Sequence, residues 1–125
     1  MKVKDIMNKV VATENNISLR EAAKIMSDKN IGSLVVLKDD NILGIITERD
    51  IVDNASSLEK KVTSVIKGKI ITIDSDQSLD TAAIIMSKNK IKRLPVISKE
   101  KLVGIITATD LLANSEEIDA DFLFD

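Results

Sequence analysis

Two carboxylates stand out by their spacing. Asp50 and Asp110 each follow a threonine by three residues, in GIITERDIV (44–52) and GIITATDLL (104–112). An ionised carboxylate offers two acceptor oxygens, which a pair of adjacent hydroxyl donors can engage through charge-assisted bonds. The same Thr-x-x-Asp spacing is that of a capping box, with Thr47 or Thr107 capping a helix and the acid favoured by the helix dipole. Both chemistries want the same residues, and both remain open on spacing alone.

Little other chemistry is left. The 125 residues include no Cys, His, Trp or Tyr and two Phe. Thiolate and imidazole metal sites, thiol nucleophiles and Ser-His triads are therefore excluded. No enzyme is expected. No apolar run reaches the ~18–20 residues that cross a bilayer, and the start MKVKDIMNKV lacks the apolar core of a signal peptide. A soluble cytoplasmic protein is the expectation. Five acids fall in the last ten residues; the rest holds 15 acids against 18 bases, net +3. That excess is too weak for a nucleic-acid footprint, and aromatics for base stacking are nearly absent.

The elements that must position the two motifs come in duplicate. Slid by 60 residues, Ser18–Val52 matches Ser78–Leu112 without a gap, at 15 identities in 35 positions. Upstream, VKDIM (3–7) pairs with VTSVI (62–66) at an offset of 59, so one extra residue falls around 67–69. Each copy reads as a short β-rich run (VVAT, IITI), a helix, two strand-like runs and a second helix. Ser18-Leu19-Arg20-Glu21 is a capping box, and Leu19, Ala22, Ala23 and Met26 form the apolar stripe of a helix ending near Lys29 or Asn30. Leu34–Leu37 and Ile42–Ile46 form a hairpin across Lys38–Asn41, and the next helix opens at Thr47. Pro95 is expected at the start of a strand. About 60 residues is marginal for a lone domain. The α/β (α+β) fold expected is therefore two units, 1–57 and 58–113, packed through their sheets by a pseudo-twofold, with a tail over 114–125.

The repeat length, element order, SL-x-x-AA-x-x-M helix and Gly-h-h-Thr-x-x-Asp ending together resemble a tandem pair of CBS domains, a Bateman module, over about residues 1–113. The resemblance implies a regulatory, energy-sensing module that binds AMP, ADP, ATP or S-adenosylmethionine in the cleft between its units and modulates a partner protein. The nucleotide would be a regulatory ligand, with no cofactor acting as catalyst. Thr47, Asp50, Thr107 and Asp110 then become ribose ligands, the cis-diol supplying the paired donors. The adenine slot falls to Ile45 and Ile105, faced by Val10, Val11, Ile70 and Ile71, each of which ordinary core packing would equally explain. Phosphate contacts fall to Lys92 and Arg93, with Arg49, Ser33 and Lys9 also in play. The first copy has Gly32-Ser33 where the second has Lys92-Arg93, so the site using Thr107 and Asp110 is expected to prefer a phosphorylated nucleotide, drawing on Ser33 and Lys9 across the interface.

Lys24 of the first long helix becomes Ile84 in the second, and the resemblance implies a homodimer through such helix faces. Phe122 and Phe124, set among the tail's acids, suggest an end that docks on something or simply frays. An assembly module with vestigial clefts is the alternative function. A nucleotide hydrolase holding Mg²⁺ at Asp50 or Asp110 ranks lowest, since no Gly-rich phosphate loop occurs.

Overall fold

The computed structural model describes residues 1–66 and 70–115. They form two compact units: Val11–Ile70, which carries Asp50, and Met1–Val10 together with the chain from Ile71 onward, which carries Asp110. The spatial grouping thus differs from the linear repeat at one point. The opening segment of each copy folds with the body of the other copy.

In the Asp50 unit, β1 (Ala12–Glu14) runs parallel to the central β2 (Ser33–Lys38), which pairs antiparallel with β3 (Asn41–Thr47). Helix α2 (Leu19–Lys29) connects β1 to β2, and α3 (Glu48–Asp53) follows β3. The Ser18–Glu21 capping box forms, and α2 ends at Asn30 in the left-handed conformation. Leu19, Ala22 and Met26 bury the stripe against Leu34, Val36 and Ile46. Val62, in the 3-10 turn Val62–Ser64, completes this core.

The Asp110 unit repeats the plan with α1 (Val3–Ile6), β4 (Ile73–Asp74), α4 (Leu79–Asn89), β5 (Arg93–Ser98), β6 (Lys101–Thr107) and α5 (Ala108–Ala113), the sheet order being β4-β5-β6. Val3 takes the place in this core that Val62 takes in the other, beside Leu79, Ala82, Ala83, Met86, Leu94 and Ile106. Both hairpins close on two residues with positive φ, Asp39-Asp40 and Lys99-Glu100, the backbone of a tight primed turn.

Two expectations need correction. The β-rich runs start later than VVAT and IITI suggest, at Ala12 and Ile73. Pro95 is the third residue of the central strand β5, not its first. Its counterpart Val35 donates its N–H to Val11 O at 3.1 Å. Proline has no such proton, which accounts for the parallel pairing in this sheet beginning later, at Ile73–Val96.

The expectations for the acidic tail, with Phe122 and Phe124, and for the extra residue near Lys67 to Lys69 lie outside the described residues. Among the described residues, no helix is long and apolar enough to cross a membrane.

Candidate functional site

Each motif begins where a strand becomes a helix. Thr47 and Thr107 are extended (φ −117° and −118°) and act as N-caps of α3 and α5. The Thr47 N–H donates to Asp50 Oδ2 at 2.9 Å and its hydroxyl to the same oxygen at 3.2 Å, while the Asp50 N–H donates to Thr47 Oγ1 at 3.4 Å. The corresponding Thr107–Asp110 distances are 2.8, 2.9 and 3.2 Å. The capping reading is therefore realised in both copies. It engages one carboxylate oxygen: among the described residues every bond to either side chain lands on Oδ2, and Oδ1 accepts none.

Asp110 has a further partner that the sequence did not reveal. Asn8 Nδ2 donates to Asp110 Oδ2 at 2.7 Å. Asn8 is held in place by its backbone, its N–H donating to Ile105 O at 2.8 Å and its carbonyl accepting from Ile105 N at 3.1 Å. This explains the motif glycine. A methyl on Gly104 would stand 2.6 Å from Met7 Sδ and 3.0 Å from Asn8 O, and one on Gly44 would collide with Ile66 Cγ2. The bare backbone admits the incoming segment in both units.

Arg93 opens β5 directly opposite Thr107, and Lys92 O accepts the Ala108 N–H at 2.9 Å, so both basic residues adjoin the Asp110 motif. Lys9, next to Asn8, belongs to this same unit. In the Asp50 unit, Ser33 stands opposite Thr47, so it adjoins the Asp50 motif. Arg49 extends from α3 into solvent and pairs with Asp53 at 3.6 Å.

Among the adenine candidates, Ile45 lines a pocket of about 510 Å³ together with Asp50, and Ile105 is buried beside Asn8. Val11 and Ile71 pack against the cores of their units. Val10 and Ile70 are half-buried and stand outside both clusters.

Asn54 and Asn114, which recur at the same offset two residues past the matched stretch, also belong to the motif's support. Each donates its side-chain amide to the backbone carbonyl of its motif aspartate, at 2.8 and 2.9 Å. Asn8 carried no such signal, because the residues at offsets of 59 and 60 are Lys67 and Gly68 and do not repeat it. Among the described residues no three carboxylates gather as a metal cluster would require.

Known proteins share the duplicated fold. The CBS domain family matches residues 3–57 and 62–117. The uncharacterized protein MJ1232 of Methanocaldococcus jannaschii is 40% identical over 114 residues, covering 90% of this chain and 38% of that protein. The CBS domain-containing protein YhcV of Bacillus subtilis is 32% identical, covering 90% of this chain and 84% of YhcV. Among solved structures, the CBS domain pair of protein MJ0100, in complex with 5′-methylthioadenosine and S-adenosyl-L-methionine, superposes with a TM-score of 0.84 at 34% identity, covering 93% of this chain and 96% of that one. The chain belongs to the CBS-domain family and carries two copies of the domain in tandem.

Proposed function

We propose that the chain is a regulatory module that binds adenosine-containing ligands at its Thr-x-x-Asp strand exits and thereby modulates a partner protein. AMP, ADP, ATP and S-adenosylmethionine are the ligands considered, and no catalytic role is assigned. The observation that carries this reading is the one-sided use of the motif carboxylates. Capping engages Oδ2 and leaves Oδ1 to accept a ribose hydroxyl in a charge-assisted bond. The adenosyl ligands of the MJ0100 pair support the ligand class. Thr47, Asp50, Thr107 and Asp110 are the proposed ribose contacts, and Ile45 and Ile105 the proposed adenine contacts. Lys92 and Arg93 beside Thr107, with Lys9 in the same unit, favour a phosphorylated tail at Asp110. Regulation would follow from different ligand affinities for two states of the module or its complex.

A second reading, an assembly module with vestigial sites, is favoured by the completeness of the capping network. Equilibrium dialysis against AMP, ATP and S-adenosylmethionine separates the two, read by ultraviolet absorbance against a chain without Trp, Tyr or Cys. Micromolar binding, about −8 kcal/mol, is expected for at least one ligand. Asp110→Ala leaves the Thr107 cap on the residue-110 N–H in place but removes the reciprocal capping-box bonds and the ligand contact together, at about 1 kcal/mol of stability. Asp110→Asn keeps an acceptor for the Thr107 N–H but loses the charge, so it should lose less stability than Asp110→Ala and bind AMP or ATP at least ~10-fold more weakly. Parent-like binding by Asp110→Asn would leave Asp110 as a cap alone.

A further inference from the structure

The pocket of about 510 Å³ in the Asp50 unit has a wall unlike a phosphate site. Beyond Ile45 and Asp50 it is lined by Asp53, Asn54, Lys60 and Ser64. Its size falls within the roughly 300–1,000 Å³ of small-molecule sites.

We infer that this pocket receives the α-amino acid tail of a nucleoside, with Asp53 recognising the ammonium and Lys60 the carboxylate. The inference rests on the ribose reading of Asp50 given above. Two carboxylates on the wall, Asp50 and Asp53, repel a phosphate dianion and outnumber the single cation lining the pocket, Lys60. A bare nucleoside would leave Asp53 and Lys60 unused. A zwitterion matches both.

The individual groups are available for this role. Lys60 makes no ion pair among the described residues. Asp53 is engaged by Arg49 Nε at 3.6 Å in an exposed pair, a weak interaction that a ligand ammonium can displace. Ser64 gives its proton to Lys61 O at 2.7 Å, and Asn54 gives its amide to Asp50 O, so each presents an oxygen as a remaining acceptor for N–H donors.

The other copy lacks the arrangement. Asn54 recurs as Asn114, as its backbone role requires, but Asp53 is replaced by Ala113 and Ser64 by Asp5. The tail-binding side chains are thus particular to the Asp50 unit, and the two units would take different tails on a common nucleoside.

The test compares S-adenosylhomocysteine with 5′-methylthioadenosine, which share the nucleoside and an uncharged sulfur but differ in the amino acid tail. AMP is a third probe. Equilibrium dialysis of the full chain should give at least ~10-fold tighter binding of S-adenosylhomocysteine than of methylthioadenosine, since two charge-assisted contacts are added. Lys60→Ala and Asp53→Asn, both at exposed positions, should each remove most of that advantage and leave methylthioadenosine binding unchanged. Equal affinity for the two nucleosides would overturn the inference, as would equal loss of both in the variants, or AMP binding that depends on Lys60. In the first two cases, methylthioadenosine binding that is lost in Asp50→Ala leaves the nucleoside reading standing. Failure of every nucleoside to bind would overturn both.

Discussion

Gly104 shows how one missing side chain sets the geometry of a site. The segment from Met7 to Asn8 lies against the Gly104 backbone, and the amide of Asn8 reaches Asp110 from there. In Gly104→Ala the flexible Met7 thioether can swing aside, but Asn8 O can yield only by loosening its paired backbone bonds with Ile105. The variant should lose about 1–3 kcal/mol, read by urea unfolding, and weaken ligand binding that depends on Asp110. Parent-like stability and binding together would mean that the approach of Asn8 to this strand is dispensable. The glycine, threonine and aspartate of the motif were legible in the sequence because they recur. Asn8, Asp53 and Lys60 were not, because each serves only one unit, and a repeat displays only what both copies need.

At the scale of elements, α1 is tied to the turn ahead of α4 by Lys4 and Asp76, whose Nζ and Oδ1 lie 2.9 Å apart. The side-chain hydrogen bond from Lys4, reinforced by its charge, holds the Asp76 carboxyl below its ordinary range, and the same contact raises the Lys4 ammonium. A lowered acid stabilises the fold above its unfolded value, about 3.9, and that contribution fades as pH falls through the lower folded value. For Lys4 the contribution is present below the ordinary lysine range and fades as pH rises through the raised folded value. Both groups are exposed, so the effect is small. Asp76→Asn should melt close to the parent at pH 7 and flatten the acid limb of the pH–stability curve, and an unchanged acid limb would count against the tether. The helices, hairpins and caps of this fold are local in origin and were readable from apolar spacing and Ser or Thr at the helix starts. The placement of residues 1–10 was not readable, since it depends on Val3 filling a core whose other members begin at Ile73. The shortened β4 was also hidden, because it follows from an N–H missing on a neighbouring strand.

For the whole molecule, we propose a homodimer made through the face of α4. On α2, Lys24 forms an exposed i,i+4 pair with Asp28 at 3.2 Å, the signature of a solvated helix face. At the same positions α4 carries Ile84, half-buried, and Lys88. Leu112 on the neighbouring α5 is 47% exposed, and α4 packs on α5. Apolar surface at these positions gains free energy when a second copy covers it, at roughly 25 cal/mol per Å² before the costs of association. Ile84→Lys restores the residue that the first copy already carries at this position, so folding should be unaffected while the contact acquires a buried charge. Light scattering should give twice the 13.7 kDa chain mass for the parent and the single-chain mass for the variant. A parent that scatters as a dimer with an equally dimeric Ile84→Lys would exclude this face, and a monomeric parent would exclude the dimer itself. Repeating both measurements with saturating AMP links the two scales. A ligand that binds the dimer better than the monomer must shift the association by the same factor, and that coupling would give the module a physical means of passing its occupancy to a partner.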